Sequence, residues 1–296
     1  MSALPPLISV VTPVRNGERY LAEAIESVLG QTLPAWEYVI VDGCSTDRSR
    51  AIAEACAERE PRIRVLSEPD GGMYDALLKG LERTAAPLCC WINADDRFMP
   101  WAFELVARYV RLSGAAWVTG VPACMDRDGL VHTVDALRWY PRRLIRAGLC
   151  HGSAFGFIQQ EGTFFARRLL EGLEQPALAR VRASRLAGDT FLWRAFAGQA
   201  ALEIIPTVLG AFRWHGGNLT ADDRPYYREL EAAGYPMPPA LLASGLKALC
   251  LPLAVLEYKR RLRRWRALWP DLFAGATPAA GRSDAPAGAL PRRPVP

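Results

Sequence analysis

The sequence predicts an α/β fold in which a mainly parallel central sheet carries helices on both faces. Two observations predict it. Short β-branched runs alternate with helix-period stretches through residue 120, and three of the first four runs end in polar or acidic loops. At 296 residues and 50% hydrophobic composition the chain is long and apolar enough to bury the core such a sheet needs.

Leu7 to Val11 reads as a buried strand, followed by the loop Thr12 to Gly17 and a helix over residues 18–30 with Leu21, Ile25, Val28 and Leu29 on one face. Asn16 is the natural N-cap of that helix. Trp36 to Val41 is a second strand, ending in Asp42-Gly43-Cys44-Ser45-Thr46-Asp47, and residues 47–59 form a second helix. Ile63 to Leu66 and residues 72–84 repeat the unit, and Leu88 to Ile92 is a fourth strand running into Asn93-Ala94-Asp95-Asp96. In open sheets of this kind ligands sit outside the carboxyl ends of the strands, so the loops 12–17, 42–47 and 93–96 should converge on one crevice.

Past residue 120 the pattern weakens. Phe164 to Glu174 and Asp189 to Ala197 read as helices, and residues 239–269 as a helix interrupted by Pro252. The expected organisation is a catalytic domain over 1–235, a helical appendage over 236–273 and a disordered Ala, Gly and Pro-rich tail over 274–296. The seven cysteines include no C-x-x-C pair and no zinc-ligand spacing, which points to a reducing cytosol. The N-terminus has no signal-peptide pattern, and the longest apolar run, Ala248 to Leu256, is too short to span a bilayer. A net charge of +5 without a basic stripe argues against a nucleic-acid partner.

The absent motifs narrow the chemistry. No two of the 24 glycines are spaced G-x-G, and there is no P-loop, so phosphates must be held by something other than a glycine-rich cradle. A divalent cation held by carboxylates, Mn²⁺ or Mg²⁺, is the usual substitute. Asn93-Ala94-Asp95-Asp96, at the end of a buried strand, offers hard oxygen ligands, although either aspartate also suits the cap of a following helix. Asp42 suits a base edge or ribose hydroxyl, and equally an Asx turn. Asp189 suits both an N-cap and a general base. His215 lies in a glycine-rich loop and reads as a structural histidine or a ligand.

The ordered set Ile8 to Gly17, Val41 to Asp47, Glu68 to Ala76 and Asn93 to Asp96 resembles the family 2 glycosyltransferases, in particular bacterial enzymes of capsule, exopolysaccharide and lipopolysaccharide synthesis. The resemblance implies the glycosyltransferase type A fold and inverting transfer from a nucleotide-diphospho-sugar, with a UDP-sugar favoured, to a glycan or lipid-linked acceptor. It implies that Thr12, Pro13 and Val14 line the base and ribose, that Asp42 holds the base edge or ribose, and that Asp75 lies near the nucleotide. It makes Asp95 the principal metal ligand with Asn93 beside it, Asp189 the catalytic base, and His215 a further ligand to metal or diphosphate. Asn93 stands where the family's first acidic position falls, and Gly188 stands where many relatives carry Glu before the catalytic Asp.

Lys259, Arg260, Arg261, Arg263, Arg264 and Arg266 crowd one stretch, with Leu262, Trp265 and Trp269 at helical spacing on another face. That pattern reads as peripheral membrane contact through 257–269 at an anionic surface, or as the solvated face of a docked helix. Two other functions compete: a non-catalytic sugar-nucleotide binder or scaffold of a polysaccharide assembly, and a sugar-nucleotide nucleotidyltransferase. The second should carry a glycine-rich loop after the first strand, where this chain has only Gly17.

Overall fold

The structure, a computed structural model, describes residues 5–136 and 139–268. The first half follows the expected alternation: β1 (Ile8–Val14), α1 (Leu21–Leu29), β2 (Trp36–Asp42), α2 (Ser49–Arg59), β3 (Ile63–Ser67), α3 (Met73–Glu82) and β4 (Leu88–Trp91). A two-residue strand β5 (Arg97–Phe98) leads into α4 (Ala102–Ser113) and β6 (Trp117–Thr119). The hairpin β7 (Ala123–Met125) and β8 (Val131–Val134) precedes α5 (Arg142–Arg146). The second half continues with β9 (Thr163–Ala166), α6 (Arg167–Glu171), α7 (Gln175–Ala183) and α8 (Gly188–Gln199). It closes with β10 (Glu203–Ile204), β11 (Gly210–Arg213), α9 (Arg224–Ala232) and α10 (Ala240–Leu268).

Among the described residues the main sheet has seven strands in the order β10-β6-β9-β4-β1-β2-β3. All neighbours pair in parallel except β9, which lies antiparallel between β4 and β6. Its inner strands are buried on both faces, so consecutive side chains feed two different cores. Val11, Val39, Val41 and Phe165 point to the side of α3 and α8, while Val10, Tyr38, Ile40 and Phe164 point to the side of α1 and α4. Helices on both faces are therefore required to cover it. A smaller sheet, β5-β11-β7-β8, stands at the carboxyl end of β4 and brings the loop after β11 over the site.

Three expectations are corrected. Residues 163–166 are a strand rather than the start of a helix: Phe164 and Phe165 are both fully buried on opposite faces of the sheet, an arrangement a helix face cannot give. Asn16 does not cap α1, which starts at Leu21 with no side-chain cap. With φ of 55° it instead accepts the Thr46 N–H at 2.8 Å, tying the loop after β1 to the loop after β2. The backbone of α10 runs as one helix through Pro252. Its Trp265 packs against the core on the α4 side, so the Trp-bearing face is turned to the domain, and Lys259, Arg260, Arg263 and Arg266 are exposed. Trp269 and the expected tail lie outside the described residues. No helix among the described residues is long and apolar enough to cross a membrane.

Candidate active site

β4 ends at Trp91, and the following turn is closed by the Asp96 N–H donating to the Asn93 carbonyl at 3.2 Å. The Asn93 side chain is held by two bonds of its own amide N–H, to Asp96 Oδ2 and to Gln160 Oε1, each 3.0 Å. Gln160 is fixed in turn, donating to the Trp91 carbonyl at 2.6 Å. Asn93 Oδ1 is therefore aimed by the network, buried, and without a hydrogen-bond partner among the described residues.

Asp96 is fully buried and takes the Arg213 backbone N–H at 2.7 Å, so it builds the turn rather than facing ligand. Arg213, also fully buried, donates from Nε to the Asp95 carbonyl at 2.7 Å, pairs with Glu23 at 2.7 Å and lies 4.5 Å from the Tyr20 ring. With the Asp95 backbone fixed from behind, its carboxylate is free to face the cleft. There Oδ2 stands 3.0 Å from His215 Nε2. His215 Nδ1 accepts the Gly217 N–H at 3.2 Å, which places the proton of a neutral ring on Nε2, toward Asp95. Asp95 and His215, 120 positions apart, thus meet. Among the described residues no cluster of three or more His, Cys, Asp or Glu side chains is arranged to hold a metal ion. Asp95 and the unpartnered Asn93 Oδ1 are hard oxygen donors that fit a divalent cation whose other positions are filled by diphosphate and water.

Asp189 lies in the first turn of α8, whose N-cap position is Ala187, so it is not the cap. Its Oδ1 accepts the Thr190 N–H at 2.6 Å. Burial pushes its carboxyl up to about 6 against those bonds and that of Tyr74. Gly188 has a local reason: a Cβ there would stand 2.5 Å from the Tyr74 ring, so the space a side chain would need is filled by Tyr74. Asn93, Asp95, Gln160, Glu161 and Asp189 line one cleft of about 160 Å³ floored by Tyr74 and Trp91. A larger apolar cleft of about 640 Å³, lined by Leu7, Leu88, Val110 and Ala166, opens at the amino ends of β1 and β4. It holds none of these groups and lies at the wrong end of the sheet for a ligand of this fold.

The other expected residues, Thr12, Pro13, Val14, Asp42 and Asp75, do not line this cleft. Thr12, Pro13 and Val14 are buried at the end of β1, with the Thr12 hydroxyl donating to the Ile92 carbonyl at 2.8 Å and lying 2.7 Å from the Tyr38 hydroxyl. Asp42, fully buried, accepts the Ser45 N–H at 3.2 Å and the Ser67 hydroxyl at 2.8 Å, so its turn-forming role is the one the geometry displays. Two strand spacings separate the ends of β2 and β4, roughly 10 Å, a span a nucleoside can bridge. Asp75 is held below its ordinary range: burial opposes this, but the Gly71 N–H, Arg182 and Lys79 outweigh it.

Sequence reading missed Gln160, Glu161 and the structural role of Arg213. Glu161 is 5% exposed, and its carboxyl is pushed up to about 7, chiefly by burial; Asp96, beside it, is pushed up as well. The available signal was the polar run Gln159-Gln160-Glu161 directly before the aromatic strand β9.

The family model for glycosyl transferase family 2 matches residues 9–171, more than half of the chain. The chain belongs to glycosyl transferase family 2. This family 2 chain is 30% identical over 145 residues to TuaG of Bacillus subtilis, named for teichuronic acid biosynthesis, covering 47% of the chain and 58% of TuaG. It is 29% identical over 219 residues to the uncharacterized glycosyltransferase alr2836 of Nostoc sp., covering 71% of the chain and 66% of that protein. The chain thus spans less than two thirds of the length of either relative. Among solved structures it matches S. aureus TarS with UDP-GlcNAc at a TM-score of 0.59 and 14% identity, covering 92% of the chain and 76% of that structure. It also matches the mannosyltransferase PcManGT of Pyrobaculum calidifontis, with GDP-Man and Mn²⁺, at a TM-score of 0.51 and 18% identity, covering 92% and 80%. The fold of this family 2 chain is the glycosyltransferase type A fold.

Proposed function

We propose that this chain is an inverting glycosyltransferase that moves a sugar from a nucleotide-diphospho-sugar, a UDP-sugar by preference, to a hydroxyl of a glycan or lipid-linked acceptor in cell-surface polysaccharide synthesis. One observation carries the reading: Asp189, with its carboxyl raised to about 6, shares a single cleft with Asp95 and the free oxygen of Asn93. Direct displacement at a sugar carbon needs a base for the incoming hydroxyl on one side and charge neutralisation for the leaving diphosphate on the other.

Asp189 takes the acceptor proton. A carboxylate with a pKa near 6 is ionised at neutral pH yet basic enough to accept a proton as the hydroxyl attacks. Asp95 and Asn93 would hold a divalent cation, Mn²⁺ or Mg²⁺, which would offset charge on the departing diphosphate. His215, beside Asp95, would be the further ligand of this group, to the diphosphate as an Nε2–H donor or to the metal once that proton is lost. Thr12, Pro13, Val14, Asp42 and Asp75 stand on the nucleotide side. TarS was solved with UDP-GlcNAc, and PcManGT with GDP-Man and Mn²⁺, which supports a sugar-nucleotide donor and a cation without fixing either sugar.

Membrane contact at the inner face moves to the outward side of α10. At 100° per residue, Leu241, Leu242, Leu256, Lys259, Arg260 and Arg263 lie on one side of the helix, opposite the docked Trp265, and all six are exposed. The whole reading is tested by incubating the chain with a panel of UDP- and GDP-sugars and Mn²⁺ and measuring release of nucleoside diphosphate. Binding of nucleotide with no release from any donor would favour the scaffold reading instead.

A further inference from the structure

Asp189 sits at the start of α8, and the segment that leads into this helix, Ser184 to Ala187, has no regular partner of its own. It is gripped instead by one side chain from α9. Glu229 accepts the Arg185 and Leu186 N–H groups through Oε1, each at 3.1 Å, and the Ala187 N–H at 3.1 Å and the Ser184 hydroxyl through Oε2. The Ser184 hydroxyl itself accepts the Ala187 N–H at 3.0 Å. The first backbone N–H groups of a helix lack intrahelical partners; here a carboxylate from another helix takes that of the N-cap residue Ala187 together with the two N–H groups before it, and so fixes the turn that leads into α8. Two further contacts of this region reinforce the grip: the Thr190 and Tyr226 hydroxyls lie 2.9 Å apart, and the Tyr74 hydroxyl donates to the Leu186 carbonyl at 3.2 Å.

We propose that Glu229 is a positioning residue that sets the place of Asp189, making α9, which lies beyond the residues 9–171 matched by the family model, a working part of the catalytic assembly. The proposal rests on Asp189 being the base. Four donors converge on one carboxylate, and charge-assisted bonds of this kind are short and directional. An amide in its place would turn one acceptor oxygen into a donor facing the donors of Ser184 and Ala187. The loop must then shift, and a displacement of the order of 1 Å at a reacting group costs up to about 10²-fold in rate.

The test is a double-mutant cycle of Glu229→Gln with Asp189→Asn, with initial rates of transfer and donor binding measured for each protein. Glu229→Gln is expected to lower kcat on the order of tenfold or more. Donor KM and the thermal shift given by UDP with Mn²⁺ should stay unchanged, and the variant should add no further loss in the Asp189→Asn background. Ser184→Ala, which removes one arm of the clamp, is expected to give a smaller loss of the same kind and serves where Glu229→Gln does not fold. Wild-type kcat in both variants overturns the proposal, and so does an equal loss in the presence and absence of the Asp189 carboxylate. The reading of Asp189 fails separately, if Asp189→Asn alone turns over normally.

Discussion

Replacing Asp189 by Asn should move activity and stability in opposite directions, and the structure gives the size of the stability change. The carboxyl is raised from its ordinary value of 3.8 to about 6 by burial. A difference of roughly two pKa units corresponds to about 3 kcal/mol, at 1.36 kcal/mol per unit. The folded state therefore holds its proton more tightly than the unfolded chain does. That advantage is fully present below the unfolded value, near pH 4, and is lost as pH rises through about 6, where the buried group must ionise. Asn carries no charge to desolvate and keeps an oxygen for the Thr190 N–H. Asp189→Asn should thus be more stable than the wild type by up to about 3 kcal/mol at pH 8, and by nothing at pH 4. At roughly 2–4 °C per kcal/mol for a chain approaching this size, thermal denaturation at pH 8 should show a gain of several degrees. Turnover should fall on the order of 10²-fold or more with donor binding retained. In the wild type, kcat should climb with pH through about 6 and then level as the base ionises. A stability difference independent of pH, or turnover equal to the wild type, would refute the assignment of Asp189 as a desolvated base.

Three more outcomes follow from the geometry. Asp95→Asn should abolish the Mn²⁺-dependent part of the stabilisation given by UDP, a gain of about 2.7 kcal/mol at 100 times Kd in the wild type, and a thermal shift that survives the substitution removes Asp95 from the cation site. Gly188→Ala forces a methyl to 2.5 Å from the Tyr74 ring and should lower stability to urea by about 1–3 kcal/mol while lowering kcat through Asp189; an unaltered urea midpoint contradicts the close packing. Flotation with anionic liposomes at low salt should carry the wild type upward and leave a Lys259→Glu, Arg260→Glu, Arg263→Glu variant behind, each basic residue being worth about 1 kcal/mol at the surface. Equal flotation of the two proteins would rule out the outward face of α10.

How far these features were legible depended on the distance over which they are determined. β1, β2 and β4 and their polar ends were readable because strands buried on both faces leave continuous β-branched runs, and their loops follow from chain direction alone. β9 was not. Thr163 to Ala166 is too short for periodicity to separate strand from helix, and its antiparallel insertion between β4 and β6 is decided by partners far away in sequence. Asn16 satisfied the local rule for a cap, yet its amide is taken by the next loop. Asp95 and His215 were joined by resemblance rather than by spacing, since 120 residues separate them. Glu229 and Arg213 act through bonds to distant backbone groups and leave no local pattern to read.

The neutral residue at 93 follows from the charges around it. Asp96 and Glu161 are buried side by side, and burial raises both carboxyls; the charge of Glu161 pushes Asp96 up further, while the hydrogen bond with Asp96 pulls Glu161 part of the way back. Asp189 is raised in the same cleft. Asn93 donates to Asp96 and to Gln160, so a carboxylate in its place would lose both bonds and set another negative charge against a group that already resists ionisation. The amide keeps the oxygen that a cation needs while supplying the N–H groups that Asp96 and Gln160 need. What looks like a defect in an acid–x–acid pattern is the arrangement that leaves Asp95 as the carboxylate facing the cleft beside an aimed, uncharged oxygen. On the proposed reading, the remaining negative charge around a cation would come from the diphosphate of the donor, which would couple cation binding to the arrival of the nucleotide.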